Sequence, residues 1–130
     1  MSDDKMKTGS FGWTELMTTD VAAAKAFYTK LFGWKTEKMP VKGEPEPYTL
    51  IRLGKEGIGG MMKMPADCPD KTPHWAVYVM VDDVDATASK VAGLGGKVLC
   101  EPTDIPDIGR FCVIQDPQGA VISAFEPKPM

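Results

Sequence analysis

Apolar and polar residues alternate from Phe11 to Thr18, which predicts a strand. Trp13, Glu15 and Met17 share one face of it, and Thr14, Leu16 and Thr18 the other. The period then changes. Val21, Ala24, Phe27-Tyr28 and Leu31 form the stripe of a helix over Val21 to Phe32, with Thr19-Asp20 as its N-cap and Gly33 as its stop. Trp34 to Met39 reads as a short strand, and Pro40 to Pro47, with three prolines, as a loop. Strands follow over Tyr48 to Leu53 and Ile58 to Met64, joined by a turn at Gly54-Lys55-Glu56-Gly57. The second strand contains Gly59 and Gly60, and glycine inside a strand marks a bulge or a close backbone approach.

The same layout then returns. Asp20-Val21, Leu31 and Gly33 are matched by Asp83-Val84, Leu94 and Gly96 at a constant offset of 63 positions. His74 to Val81 is a strand with Val77, Val79 and Val81 on the face suited to a helix, and His74, Ala76, Tyr78 and Met80 on the other. Asp82 or Asp83 caps a helix over Val84 to Leu94. Strands over Lys97 to Glu101, Gly109 to Gln115 and Ala120 to Glu126 follow, with a loop at Pro102 to Asp107 and a turn at Asp116-Pro117-Gln118-Gly119. The expected fold is therefore α+β, with two tandem βαβββ modules at 11–64 and 74–126. A disordered lead-in at 1–10, a linker at 65–73 and a tail at 127–130 complete the expected organisation. One helix cannot cover both faces of its sheet. The two sheets side by side make a cup-like eight-stranded sheet with the helices outside and a concave face open to a small ligand.

Composition narrows the function classes. The chain has 130 residues, 43% hydrophobic and 25% charged, as expected for one soluble domain. A net charge of −3 with no basic cluster argues against nucleic acid. No apolar run approaches a membrane span of ~20 residues. The polar start lacks a signal-like apolar stretch, so a cytoplasmic location is expected. Cys68, Cys100 and Cys112 are too few and too scattered for a disulfide framework or a Cys-x-x-Cys metal site. Cys112, in an apolar strand, reads as a small core residue.

Three segments, TTDVAAAKAFYTKLFGW, VDDVDATASKVAGLGG and GRFCVIQDPQGAVISAFEP, resemble the vicinal oxygen chelate superfamily over Phe11 to Glu126. This is the group of glyoxalase I, bleomycin-resistance proteins, fosfomycin-resistance enzymes and extradiol dioxygenases. The resemblance implies a homodimer, sometimes with exchanged modules. In metal-dependent members it implies four ligands, usually His, Gln or Glu, at the positions held here by Trp13, Gly60, Ala76 and Ser123. None of these is an ordinary metal ligand apart from a weak serine hydroxyl. No cofactor is therefore expected. A divalent metal would need His74 and Glu15, which share the concave face, but pseudo-twofold pairing sets them at opposite ends of their strands.

The face assignments turn Trp13, Glu15, Met17, Met62, His74, Tyr78, Met80, Ser123 and Phe125 towards the concavity, with Tyr48 and Phe111 flanking it. This aromatic and methionine-rich wall suits an irregular apolar ligand, and equally a packed core. Glu15 is the sharpest candidate. Burial among these side chains would raise its pKa towards that of a general base, with Tyr78 donating to a substrate oxygen. The alternative is that Glu15 bonds to Tyr78 or pairs with Arg52 or Arg110. Arg110 is either solvated or steers an anion across the cup mouth. The leading expectation is a metal-independent protein that binds a small hydrophobic or aromatic metabolite, with Trp13, Tyr48, Met62, His74, Phe111, Ser123 and Phe125 around it. The alternatives are a glyoxalase-type lyase or isomerase using Glu15 as base, and a non-catalytic interaction module with a filled cup.

Overall fold

The computed structural model describes residues 7–41, 43, 46–64, 72–105 and 108–128. The strands are β1 (Phe11–Thr18), β2 (Lys35–Met39), β3 (Tyr48–Leu53), β4 (Glu56–Lys63), β5 (His74–Met80), β6 (Lys97–Ile105), β7 (Gly109–Gln115) and β8 (Val121–Pro127). The helices are α1 (Val21–Phe32) and α2 (Val84–Val91), and a 3-10 turn over Ala92–Leu94 extends α2. All eight strands form one open mixed sheet in the order β2-β3-β4-β1-β5-β8-β7-β6.

The internal repeat is carried into the hydrogen-bond register. Glu15 lies opposite Gly60 across the parallel β1–β4 pair, and Tyr78 opposite Ser123 across the parallel β5–β8 pair. Leu50 faces Gly60 in one half, and Val113 faces Ser123 in the other. Each of these correspondences is the offset of 63 read from the sequence. The halves join where β1 and β5 run antiparallel, with Glu15 opposite Ala76 and Trp13 opposite Tyr78. Glu15 and Tyr78 occupy equivalent positions in the two halves and meet at this central seam.

Alternation sorts the core into three clusters. Leu16, Ile51 and Met61 are covered by Val21, Ala24 and Tyr28 of α1. Val84, Cys112 and Ala124 pack with Val81 and Ala88 in the α2 half, so Cys112 is the core residue its strand implied. The helix-free face carries Met17, Ala76, Tyr78 and Phe111. Both helices start on the expected side-chain caps. Asp20 accepts from the Ala23 N–H at 3.0 Å, and Asp83, not Asp82, accepts from Ala86 at 3.1 Å. Gly33 ends α1 in the left-handed conformation at φ 75°, open to glycine at little cost. Replacing Asp20 by alanine is expected to cost about 1 kcal/mol in urea unfolding, the usual loss for an N-cap.

Several expected boundaries shift. β6 continues through Pro102 to Ile105, where a loop was expected, because it pairs with β7 as far as Ile105 opposite Gly109. Irregular pairing between Val98 and Thr103 accommodates the proline. The turn after β3 is confined to Gly54-Lys55, since Glu56 already pairs with Leu53. α2 stops at Val91 instead of Leu94, and Gly95 caps the 3-10 turn at φ 92°. β2 begins at Lys35 instead of Trp34, β5 ends at Met80 instead of Val81, and β8 spans Val121–Pro127. Most of the lead-in and linker, the end of the tail, and Cys68 lie outside the described residues.

Candidate functional site

Glu15 is the polar centre of the helix-free face. It sits mid-strand at the central seam and is 6% exposed. Its Oε1 accepts from the Tyr78 hydroxyl at 2.7 Å, and its Oε2 from the Tyr48 hydroxyl at 2.7 Å. The Tyr48 oxygen in turn accepts from the Trp13 indole N–H at 2.9 Å. Burial raises the Glu15 pKa, and the bonds from Tyr48 and Tyr78 partly oppose that rise. Burial, and then the neighbouring carboxylate, push the Tyr48 phenol up as well. Of the two readings of Glu15 as a paired group, the bond to Tyr78 is the one that forms. Arg52 instead holds Glu37 at 2.9 Å, and Arg110 holds Asp85 at 2.8 Å and Asp104 at 2.9 Å. Arg110 is thus a surface side chain whose guanidinium is paired with two exposed carboxylates.

The place of Tyr48 depends on Gly60. A Cβ built on Gly60 would fall inside the Tyr48 phenol, overlapping its hydroxyl oxygen and ring. The close approach signalled by glycine in β4 is thus the approach of a tyrosine side chain from β3. Tyr48 reaches over Gly60 to Glu15. Its counterpart Phe111 packs edge-to-face on Tyr78, with ring centroids 6.4 Å apart. The sequence placed Tyr48 only at the flank of the cup. Its bond to Glu15 and its dependence on Gly60 follow once β3, β4 and β1 are known to be adjacent.

The other candidates divide. Tyr78, Phe111 and Ser123 are buried at 5%, 8% and 2% exposure. Trp13, Met62 and Phe125 pack against the same cluster yet remain partly exposed, as do Met64, Cys100, Ile105 and Val113. Phe125 meets Tyr78 edge-to-face at 6.3 Å. His74 is opposite Met17, only two positions along β5 from the partner of Glu15, so the two are diagonal neighbours and not at opposite strand ends. Its Nδ1 is nevertheless engaged by the Thr72 carbonyl at 2.7 Å.

A metal does not fit these residues in the arrangement the family positions imply. The space beside Gly60 is filled by a phenol, Trp13 directs its N–H to that phenol, and Ala76 has no donor atom. Among the described residues no three His, Cys, Asp or Glu side chains converge on a metal-sized site.

Comparison with known proteins agrees with the fold. The Mycobacterium bovis protein CFP32, carried under a provisional glyoxylase name, is 42% identical over 123 residues, covering 95% of this chain and 46% of its own length. The anthracycline biosynthesis protein DnrV of Streptomyces peucetius is 36% identical over 118 residues, covering 91% and 42%. The chain thus spans about half the length of the curated relatives it matches. Among solved structures, a methylmalonyl-CoA epimerase from Mycobacterium tuberculosis superposes with a TM-score of 0.58 at 16% identity, covering 90% of this chain and 87% of that one. The sequence model of the Glyoxalase/Bleomycin resistance protein/Dioxygenase superfamily matches residues 10–123, and the chain belongs to that family.

Proposed function

We propose that the helix-free face binds a small hydrophobic or aromatic molecule and does so without the metal used by metal-dependent relatives. The observation that carries this reading is a rim of partly exposed apolar side chains around a buried polar centre. Trp13, Met62, Met64 and Phe125 keep accessible surface beside Glu15, Tyr48 and Tyr78. Apolar walls with a few fixed polar groups are the usual build of a small-molecule site. The relative named for anthracycline biosynthesis is in keeping with a ligand of this class. Metal independence is supported by the Tyr48 phenol, which fills the space a ligand side chain at position 60 would need.

The test uses methyl-labelled methionine and a panel of aromatic fragments followed by NMR. Met17, Met62 and Met64 belong to the ligand face, whereas Met61 lies under α1. Fragment binding should shift the first three methyl resonances in a saturable way and leave Met61 in place. Fragments that move only Met61, or none of the four, would sink the reading. Adding Mg²⁺, Mn²⁺ or Zn²⁺ should change neither the fragment affinities nor the melting temperature.

A second reading, proton abstraction by Glu15, is favoured by its raised pKa. It predicts turnover of a carbon acid that Glu15→Gln abolishes without loss of fragment binding.

A further inference from the structure

The protons of the polar centre can be followed one by one. Trp13, Tyr48 and Tyr78 each have a single side-chain donor. The indole proton goes to Tyr48, and both phenol protons go to Glu15. All three donors are spent inside the network. Ionised Glu15 is an acceptor only, with roughly two acceptor directions on each oxygen, and one direction on each is occupied by a phenol. While Glu15 is ionised, a ligand arriving at these four side chains therefore meets acceptors and no available proton.

The charge balance points the same way. Among the described residues no ion pair includes Glu15. Arg52 is committed to Glu37 and to the Lys55 carbonyl, and Arg110 to Asp85 and Asp104. When ionised, the carboxylate is a buried negative charge with two phenol donors and, among the described residues, no counter-cation. Trp13, Tyr48 and Tyr78 are bonded into its network, and the Phe111 and Phe125 rings pack edge-to-face on Tyr78. Ring faces attract cations, and more so where water is excluded.

We propose that the molecule bound at this face is an organic cation, an aromatic or apolar body with a positively charged N–H donor that is held by Glu15. This rests on the ligand-binding reading above and adds the charge of the ligand to it. An anionic ligand would meet a carboxylate with no proton to offer. A neutral hydrocarbon would leave the carboxylate without a counter-charge.

The probes are proflavine, a three-ring cation with N–H donors, and anthraquinone-2-sulfonate, a three-ring anion. Binding is located by the Met17, Met62 and Met64 methyl resonances and measured by calorimetry. Proflavine should bind at these methyls, and Glu15→Gln should weaken it about tenfold or more, the scale of a lost charge-assisted hydrogen bond. Because that variant can repack the centre, the unmodified protein supplies a second readout. The titratable groups facing Glu15 are the Tyr48 and Tyr78 phenols and, diagonally across β1 and β5, the His74 imidazole. Lowering the pH should weaken proflavine as Glu15 gains a proton and the network loses its charge. Equal or tighter binding of the sulfonate at the same methyls would keep the ligand face and overturn the cation assignment. So would proflavine binding that ignores both the substitution and the pH. If neither dye perturbs these methyls, both the assignment and the ligand face fall.

Discussion

Gly60→Ala is expected to destabilise the protein by about 2–4 kcal/mol, although alanine ordinarily suits a strand at least as well as glycine. The added Cβ would overlap the Tyr48 phenol, and an aromatic ring cannot bend out of the way. Tyr48 must rotate off the face and give up its bonds to Trp13 and Glu15. A buried carboxylate oxygen then loses its donor, and that orphaned group is the larger part of the cost. Gly57→Ala is the internal control. Its Cβ would meet only the flexible end of Leu50 at 3.2 Å, so a change within about 1 kcal/mol is expected. Adding Tyr48→Leu to Gly60→Ala should cost far less than the two single losses combined, because the clash and the broken bonds are then the same event. Urea unfolding of the four variants measures this. A Gly60→Ala protein as stable as its parent would show that Tyr48 is not held where the network needs it.

The fold was largely legible because its signals are local and repeated. Asp20 and Asp83 start helices, Gly33 ends one, and the 63-residue offset fixes which strands are equivalent. The same offset survives in the register as Glu15–Gly60 and Tyr78–Ser123. What escaped was mostly set by neighbours distant in sequence. β6 runs past Pro102 because β7 offers it partners that a local reading of proline leaves out. The site was legible by face but not by contact. Alternation put Glu15 and Tyr78 on one face, and they do meet. That Tyr48 supplies the second phenol needs the adjacency of β3, β4 and β1, together with a glycine at 60 to let the ring through. A glycine in a strand announces that something comes close, but not what.

Glu15→Leu should cost about 2–5 kcal/mol, since two buried phenol protons lose their acceptor and each orphaned donor costs about 1–3 kcal/mol. Glu15→Gln should cost less. Its carbonyl still accepts one phenol, and the other phenol can turn to accept from the amide. The two variants also separate the role of charge. The Glu15 pKa is raised above the ordinary value of 4.5, with burial as the largest cause. Between the ordinary and the native value, the folded protein holds a proton that the unfolded chain has released. Stability from this group is therefore fully present below the ordinary pKa and is lost as pH rises through the native one. Glutamine does not titrate, so its stability deficit against the parent should narrow as pH rises through that window. A deficit that widens instead would mean that the two phenols favour the ionised carboxylate by more than burial disfavours it. Saturating proflavine provides the complementary measurement. A cation bound to the ionised form stabilises it selectively and lowers the native pKa, so the parent should lose less stability with rising pH when the dye is present. A pH slope unchanged by a dye that demonstrably binds would place its positive charge somewhere other than Glu15.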